Sequence, residues 1–162
     1  KTFEEVLMQG LADDGGLFVP DSWPQVDLDH LKSRKSFIDV AKYIGPMYTN
    51  SSFSIEEVYE VLENTWHDFE EKEYLKNVDI NKALSVLELF HGPTAAFKDF
   101  GLQLAAAFFN KTLVDQNKTA IVFGATSGDT GSAAIDACKE FSAIKSFILI
   151  PDGNIKIDSG MI

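Results

Sequence analysis

The sequence predicts an α/β protein in which a mainly helical region, residues 1–80, precedes the beginning of a parallel sheet covered by helices, residues 81–162. Three observations support this prediction. Apolar residues recur at helical spacing through much of residues 3–69. From residue 84 onward, short apolar runs alternate with helical segments, the order typical of parallel sheets. A glycine-rich turn joins one of these runs to the helix that follows it. The three apolar runs are interpreted as the opening of this sheet.

The N-terminal region is predicted to contain helices over residues 3–11, 36–47 and 54–69. The third has the clearest start signal, because Ser54 is a favourable N-cap residue and Glu57 follows three positions later, as in a capping box. The acidic run at residues 68–73 is interpreted as the solvated end of this helix.

In the second region, strands are predicted near residues 84–90, 119–124 and 145–150, and helices near residues 98–113 and 130–141. Open α/β sheets bind their ligands at the carboxyl ends of strands. Two segments, residues 90–101 and 124–131, follow predicted strands directly. They are therefore the candidate functional segments of the chain.

The first candidate segment places Lys98 between a strand and a helix. A helix N-terminus disfavours an ammonium, and Phe97 and Phe100 would remove water from it, so both effects favour the neutral, nucleophilic amine that a Schiff-base lysine needs. The alternative is an ordinary surface lysine whose aliphatic stem lies along the two phenylalanines. His91, earlier in the segment, is interpreted as a residue that orients the loop.

The second candidate segment is a glycine-rich turn at the start of a predicted helix. Its glycines allow close approach of the backbone to a ligand, and its polar side chains supply hydrogen-bonding groups, an arrangement suited to an anion. The spacing differs from that of a P-loop, a dinucleotide fingerprint and a nucleophile elbow. A tight strand-to-helix connection with a polar helix cap is the alternative. The candidate ligand-binding residues are Thr126, Ser127, Gly128, Asp129 and Thr130.

Together these segments resemble the threonine synthase family of pyridoxal-phosphate enzymes, which have the tryptophan-synthase-β fold, fold type II. Residues 11–20 resemble the family's N-terminal signature, residues 91–100 its cofactor-lysine motif, and residues 125–131 the loop that faces cofactor and substrate. The resemblance extends over residues 3–153. It implies a threonine synthase N-terminal-like region at residues 1–80 and the beginning of the cofactor-binding domain at residues 81–162.

The resemblance implies that Lys98 is the catalytic residue, which binds pyridoxal phosphate covalently and then moves protons as a base. It places Asp129 near the phenolic oxygen of the cofactor, where a shared proton would be needed. The reaction implied is conversion of O-phospho-L-homoserine and water to L-threonine and phosphate. The implied cofactor-binding residues are Phe97, Lys98, Asp99 and Asp129, and the implied substrate-binding residues are Thr126, Ser127, Gly128, Asp129 and Thr130.

Two alternatives stay open beside this hypothesis. A related protein could eliminate phosphate from a phosphorylated amino acid without making threonine. The second alternative follows from length, because the family's enzymes are far longer and both ends of the 162-residue chain look cut. We therefore expect this chain alone to be inactive, and its exposed sheet edges could lead it to associate with itself.

Composition agrees with a part of a cytoplasmic enzyme. The 25 acidic and 14 basic residues give a net charge of −11, which argues against nucleic acid as a partner. No apolar run approaches ~18 residues, so no membrane insertion is predicted. A single cysteine, Cys138, excludes a disulfide framework and fits a reducing compartment. No metal site is predicted, because His30, His67 and His91 have no metal-ligand spacing.

Overall fold

A computed structural model describes residues 1–69, 74–126 and 128–151 of the chain. Its elements confirm a helical N-terminal region followed by mixed strands and helices. In chain order they are α1 (Phe3–Gln9), α2 (Leu28–Lys32), α3 (Phe37–Thr49), α4 (Ile55–Asn64), β1 (Lys76–Asn81), β2 (Leu84–Glu88), α5 (Lys98–Asp115), β3 (Ala120–Ala125), α6 (Asp129–Cys138) and β4 (Ile144–Leu149).

The capping box predicted for the third N-terminal helix is confirmed at the start of α4. The Glu57 N–H donates to the Ser54 hydroxyl, and the Glu57 carboxylate accepts from the Ser54 N–H. The helix is shorter than predicted, because Thr65 is extended and Trp66 has a left-handed φ of 65°. The Trp66 ring is buried there, and its Nε1 donates to the Phe100 carbonyl at 3.0 Å, so burial of the indole accounts for the break.

The described strands form two separate pairs. Strands β3 and β4 are parallel and joined by α6, with Phe123 opposite Phe147 and Ala125 opposite Leu149. Strand β2 was expected to open this parallel sheet, which is wrong. It pairs instead with β1 in an antiparallel hairpin, and Asn81 closes the turn by accepting a hydrogen bond from the Ala83 N–H at 2.9 Å. Such a short polar connection permits only antiparallel pairing.

Two clusters of buried side chains form the core. The first lies between α4 and α5 and is largely aromatic, with Phe53, Val58, Leu62, Trp66, Phe69 and Phe108 buried. The second lies between α5, α6 and the parallel strands, with Ala106, Leu113, Ala137, Cys138, Ala143 and Ile144 buried. Helix α5 contributes to both clusters, so it joins the helical region to the sheet. The boundary drawn near residue 80 stays a prediction, although the first cluster packs across it.

Among the described residues, no helix combines the length and the apolar character needed to cross a membrane.

Candidate active site

Helix α5 begins at Lys98, as the sequence predicted, so this lysine lies in the first turn of an 18-residue helix. Its Nζ lies 4.6 Å from the centre of the Phe97 ring, within the range of a cation–π contact. The Lys98 side chain is 27% exposed. Phe100 turns away into the core, where its ring packs at 4.9 Å from that of Phe69. The lysine is thus partly covered by Phe97 and still open to a small molecule.

The turn before Lys98 is held by Asp99, whose side chain is 0% exposed. Asp99 accepts hydrogen bonds from the Thr94 N–H at 2.9 Å and from the Thr94 hydroxyl at 2.6 Å. A Cβ on Gly92 would lie 2.7 Å from the Asp99 Cβ, so only glycine fits against this aspartate. Both carboxyl oxygens are used inside the protein. This geometry favours a positioning role for Asp99 over the direct contact with a cofactor that the resemblance implied.

The glycine-rich turn connects β3 to α6, as predicted, and it is also tightly packed. The Thr126 N–H donates to the Leu149 carbonyl at 3.0 Å, which fixes the turn to the end of β4. A Cβ on Gly131 would lie 2.6 Å from the Thr126 methyl group, so glycine is required for this close approach. Helix α6 begins at Asp129, and among the described residues no side chain caps its first amides. Asp129 and Thr130 are exposed, and Ser127 lies outside the described residues.

The two candidate segments meet in the structure. Lys98 Nζ lies 3.9 Å from Asp129 Oδ2, although the two residues belong to different helices. Because Asp129 is 72% exposed, this ion pair stabilises the fold little, and water screens it. Its importance is geometric, since it places an amine, a carboxylate and uncapped helix amides on one open surface. Such a surface can attach an aldehyde through the amine and hold an anion at the amides.

Two side-chain contacts hold the elements that carry the candidate segments. His91 Nε2 lies 2.7 Å from Glu88 Oε2, with both side chains mostly covered, which supports the interpretation of His91 as a residue that orients the loop. Gln103 Nε2 donates to Asp136 Oδ2 at 3.3 Å and links α5 to α6. That link fixes the helix carrying Lys98 relative to the helix carrying Asp129. Sequence spacing could not reveal the second pair, because Gln103 and Asp136 are distant along the chain.

Comparison with known proteins identifies relatives over nearly the whole chain. Residues 1–66 match the family model described as threonine synthase N terminus. Threonine synthase from Pseudomonas aeruginosa is 37% identical over 155 residues, which is 94% of this chain and 33% of that protein. Threonine synthase from Saccharomyces cerevisiae is 41% identical over 170 residues, 95% of this chain and 33% of that protein. Human threonine synthase-like 2 is 34% identical over 94% of this chain and 32% of its own length.

Solved structures give the same result for the fold. A pyridoxal-phosphate-bound threonine synthase from Brucella melitensis superposes with a TM-score of 0.90 at 35% identity, covering 95% of this chain and 34% of that one. Threonine synthase from yeast superposes with a TM-score of 0.87 at 39% identity, covering 93% of this chain and 33% of that one. The chain therefore spans about a third of the length of the relatives that it matches. These matches include both candidate segments and the helical region before them, and over nearly its whole length the chain is similar to about a third of a threonine synthase.

Proposed function

We propose that the chain supplies part of the active site of a threonine synthase, which converts O-phospho-L-homoserine and water into L-threonine and phosphate with pyridoxal phosphate as its cofactor. The observation that carries this proposal is the 3.9 Å approach of Lys98 Nζ to Asp129 Oδ2, which unites the lysine motif and the glycine-rich loop. The relatives named threonine synthase and the pyridoxal-phosphate-bound structure support it.

The side chains at this surface fit pyridoxal phosphate. The Lys98 amine is reachable by an aldehyde, and the exposed Asp129 carboxylate stands beside it. Phe97 lies next to the amine with its ring exposed, and a flat aromatic face suits a planar pyridine ring. We assign Lys98, Phe97 and Asp129 to the cofactor. The buried Asp99 would act indirectly, because it sets the turn from which Lys98 emerges.

Substrate groups are assigned to the turn before α6 and its first residues. The backbone amides at a helix N-terminus attract anions, and no side chain in the described part of the turn caps those of α6. Thr126, Gly128 and Thr130 lie at this turn and, with Asp129, are proposed to bind the amino-acid part of the substrate. Ser127 is included in the proposal on the strength of the resemblance.

Lys98 carries the chemistry in this proposal. Pyridoxal phosphate, when bound, supplies the electron sink for the negative charge left as protons leave the substrate carbons. The Lys98 amine, once the substrate amine has replaced it, takes and returns those protons as a general base and acid. Phosphate departs with the electrons of its bond to the γ-carbon, and the γ-carbon takes a proton that Lys98 returns. Water then adds its hydroxyl to the β-carbon, and its other proton goes to the released phosphate. Phe97 limits the access of water to the amine in the meantime.

Borohydride trapping tests the proposal. The chain is incubated with pyridoxal phosphate and reduced, and the modified peptides are mapped by mass spectrometry. We expect selective labelling of the peptide that contains Lys98 and loss of that label in Lys98→Ala. Lys145→Ala, which removes an exposed lysine on β4, is the matched control and should keep the label. Labelling spread evenly over surface lysines in all three proteins would refute a selectively reactive lysine at this site.

A second candidate activity is elimination of phosphate without synthesis of threonine. The similarity to human threonine synthase-like 2, at 34% identity, is compatible with this alternative. Both reactions need Lys98 and would label it equally. Incubation of the protein with O-phospho-L-homoserine separates them, because a synthase releases phosphate and threonine in equal amounts, whereas an eliminating enzyme releases phosphate with an unsaturated amino acid, or with the keto acid and ammonia formed from it, and no threonine.

Self-association of the chain is a further part of the proposal. Strands β3 and β4 expose apolar side chains on one face of their sheet, namely Ile121, Phe123, Phe147 and Leu149. Burial of such a face against a second copy would be favourable. Sedimentation should show a concentration-dependent dimer that Phe123→Ser weakens, and a monomer at all concentrations would contradict this. We place the enzyme in the cytoplasm, a location that the buried free thiol of Cys138 supports.

A further inference from the structure

A cluster of possible metal ligands lies away from Lys98, where the segment after α4 meets the end of α6. His67 Nε2 lies 3.2 Å from Asp68 Oδ1 and 3.5 Å from Glu140 Oε2. One ligand atom from each of the three residues lies within 4.8 Å of the other two. All three side chains are exposed, so a metal ion from solution could reach them.

The other ring nitrogen of His67 sets the protonation of the imidazole. Nδ1 lies 3.0 Å from the Asn64 carbonyl oxygen, and a carbonyl can only accept, so Nδ1 carries the proton. Nε2 is then the ring nitrogen available to a metal ion, and it lies within 3.5 Å of one oxygen of each carboxylate. A backbone carbonyl that accepts from the second nitrogen is also the usual partner of a metal-binding histidine.

The spacing of the three atoms suits zinc. Zinc bonds to nitrogen and oxygen are about 2.0–2.2 Å long, so neighbouring ligands of a tetrahedron are about 3.3–3.6 Å apart. The two distances from His67 Nε2 match this range within about 0.1 Å. One imidazole and two carboxylates are a donor set that zinc accepts, with water as the fourth ligand.

Lys139 and Asn110 lie next to the three possible ligands and support a metal ion with a water ligand there. Lys139 Nζ lies 3.0 Å from Asp68 Oδ2, so it orients the carboxylate and leaves Oδ1 toward His67. The three residues line a cavity of about 390 Å³, which has room for a water ligand. Asn110 lines the same cavity, and its buried amide oxygen has no hydrogen-bond partner among the described residues, so the cavity suits ordered water.

We propose that His67, Asp68 and Glu140 form a site for Zn²⁺ that links the segment after α4 to the end of α6. The ion would bind through His67 Nε2 and one oxygen of each carboxylate. It would hold the helical region against the α/β region and leave the Lys98 surface free. The proposal is independent of the proposed catalytic activity.

Titration with Zn²⁺ alone, followed by calorimetry, tests the site on the chain as it stands. We expect one equivalent to bind. His67→Ala and Glu140→Gln should each weaken binding by more than about 10-fold, the loss that even outer partners of metal sites cause. His30→Ala is the matched control, because His30 is an exposed histidine outside the cluster, and it should bind as the parent chain does. Absence of stoichiometric binding, or equal affinity in the parent and both cluster variants, would overturn the proposal.

Cobalt gives a second measurement that needs no variant. Co²⁺ should occupy the same site and broaden the ring resonances of His67 far more than those of His30 and His91. Equal broadening of all three histidines would refute the site, even if the His67→Ala variant fails to fold.

Discussion

Replacement of Asp99 by alanine should destabilise the protein strongly, because this side chain has no contact with solvent and supports the turn that carries Lys98. Alanine removes the acceptor for the Thr94 N–H and the acceptor for the Thr94 hydroxyl at once. The hydroxyl can turn to another partner. The partly buried N–H has no such freedom and would be left unsatisfied.

The loss of stability in Asp99→Ala can be worked out from these two hydrogen bonds. A net hydrogen bond contributes about 1 kcal/mol, and an unsatisfied buried donor costs about 1–3 kcal/mol more. We therefore expect Asp99→Ala to lower the free energy of unfolding by about 3 kcal/mol. For a chain of this length, that corresponds to a fall in Tm of about 10 °C. Asp99→Asn should cost only about 1 kcal/mol, because its amide can still pair with both Thr94 groups.

Thermal and urea unfolding of the parent and the two variants measure these differences. The matched control is Asp29→Ala, since the Asp29 side chain is 95% exposed, and its effect should stay within about 0.5 kcal/mol. If Asp99→Ala cost no more than Asp29→Ala, the carboxyl would not hold the turn, and the positioning role would be refuted. Selective labelling of Lys98 should fall with Asp99→Ala and persist with Asp29→Ala.

Three further predictions concern the same framework. Hydrogen bonds from the Lys111 side chain and the Ser54 N–H lower the pKa of Glu57 to about 2. Since the folded pKa is depressed, Glu57 stabilises the fold above about pH 4.5 and loses this effect as the pH falls toward 2. In urea unfolding, Glu57→Gln should lower the free energy of unfolding by about 0.5–1 kcal/mol at pH 7 and by less at pH 3. An equal loss at both pH values would contradict the ion pair. Gly92→Ala should lower the free energy of unfolding by about 2 kcal/mol in thermal unfolding, because its Cβ would clash with Asp99. An unchanged stability would show that the turn can shift to accommodate the Cβ. Leu62→Ala, at a fully buried site in the first core cluster, should cost about 3 kcal/mol by calorimetry, and a cost below about 1 kcal/mol would place Leu62 outside the core.

Local signals in the sequence predicted most helices and the parallel strand pair. The Ser54 and Glu57 capping box is a short-range pattern, and the structure confirms it. The pairing of β2 with β1 was missed, although residues 77–81 alternate polar side chains with Val78 and Ile80 and are followed by a short turn. The end of α4 depended on a distant contact, the hydrogen bond from the Trp66 indole to Phe100.

The candidate site shows the same division between local and distant determinants. Lys98 and the glycine-rich turn stand out in the sequence because a strand, a turn and a helix are contiguous there. Their 3.9 Å approach depends on the packing of α5 against α6 and could be expected only from the resemblance. The burial of Asp99 also depends on its neighbours in space. The histidine at position 67 had no ligand spacing in the sequence, since Glu140 reaches it only through the fold.

The aromatic cluster between α4 and α5 has a consequence for synthesis of the protein. Phe53, Val58 and Leu62 are translated well before Phe100 and Phe108, against which their cluster packs. The first four helices therefore lack part of their core until α5 has left the ribosome. During that interval their apolar faces stay exposed, and we expect the nascent chain to bind chaperones there. Folding of the N-terminal helices should thus coincide with emergence of the helix that carries Lys98.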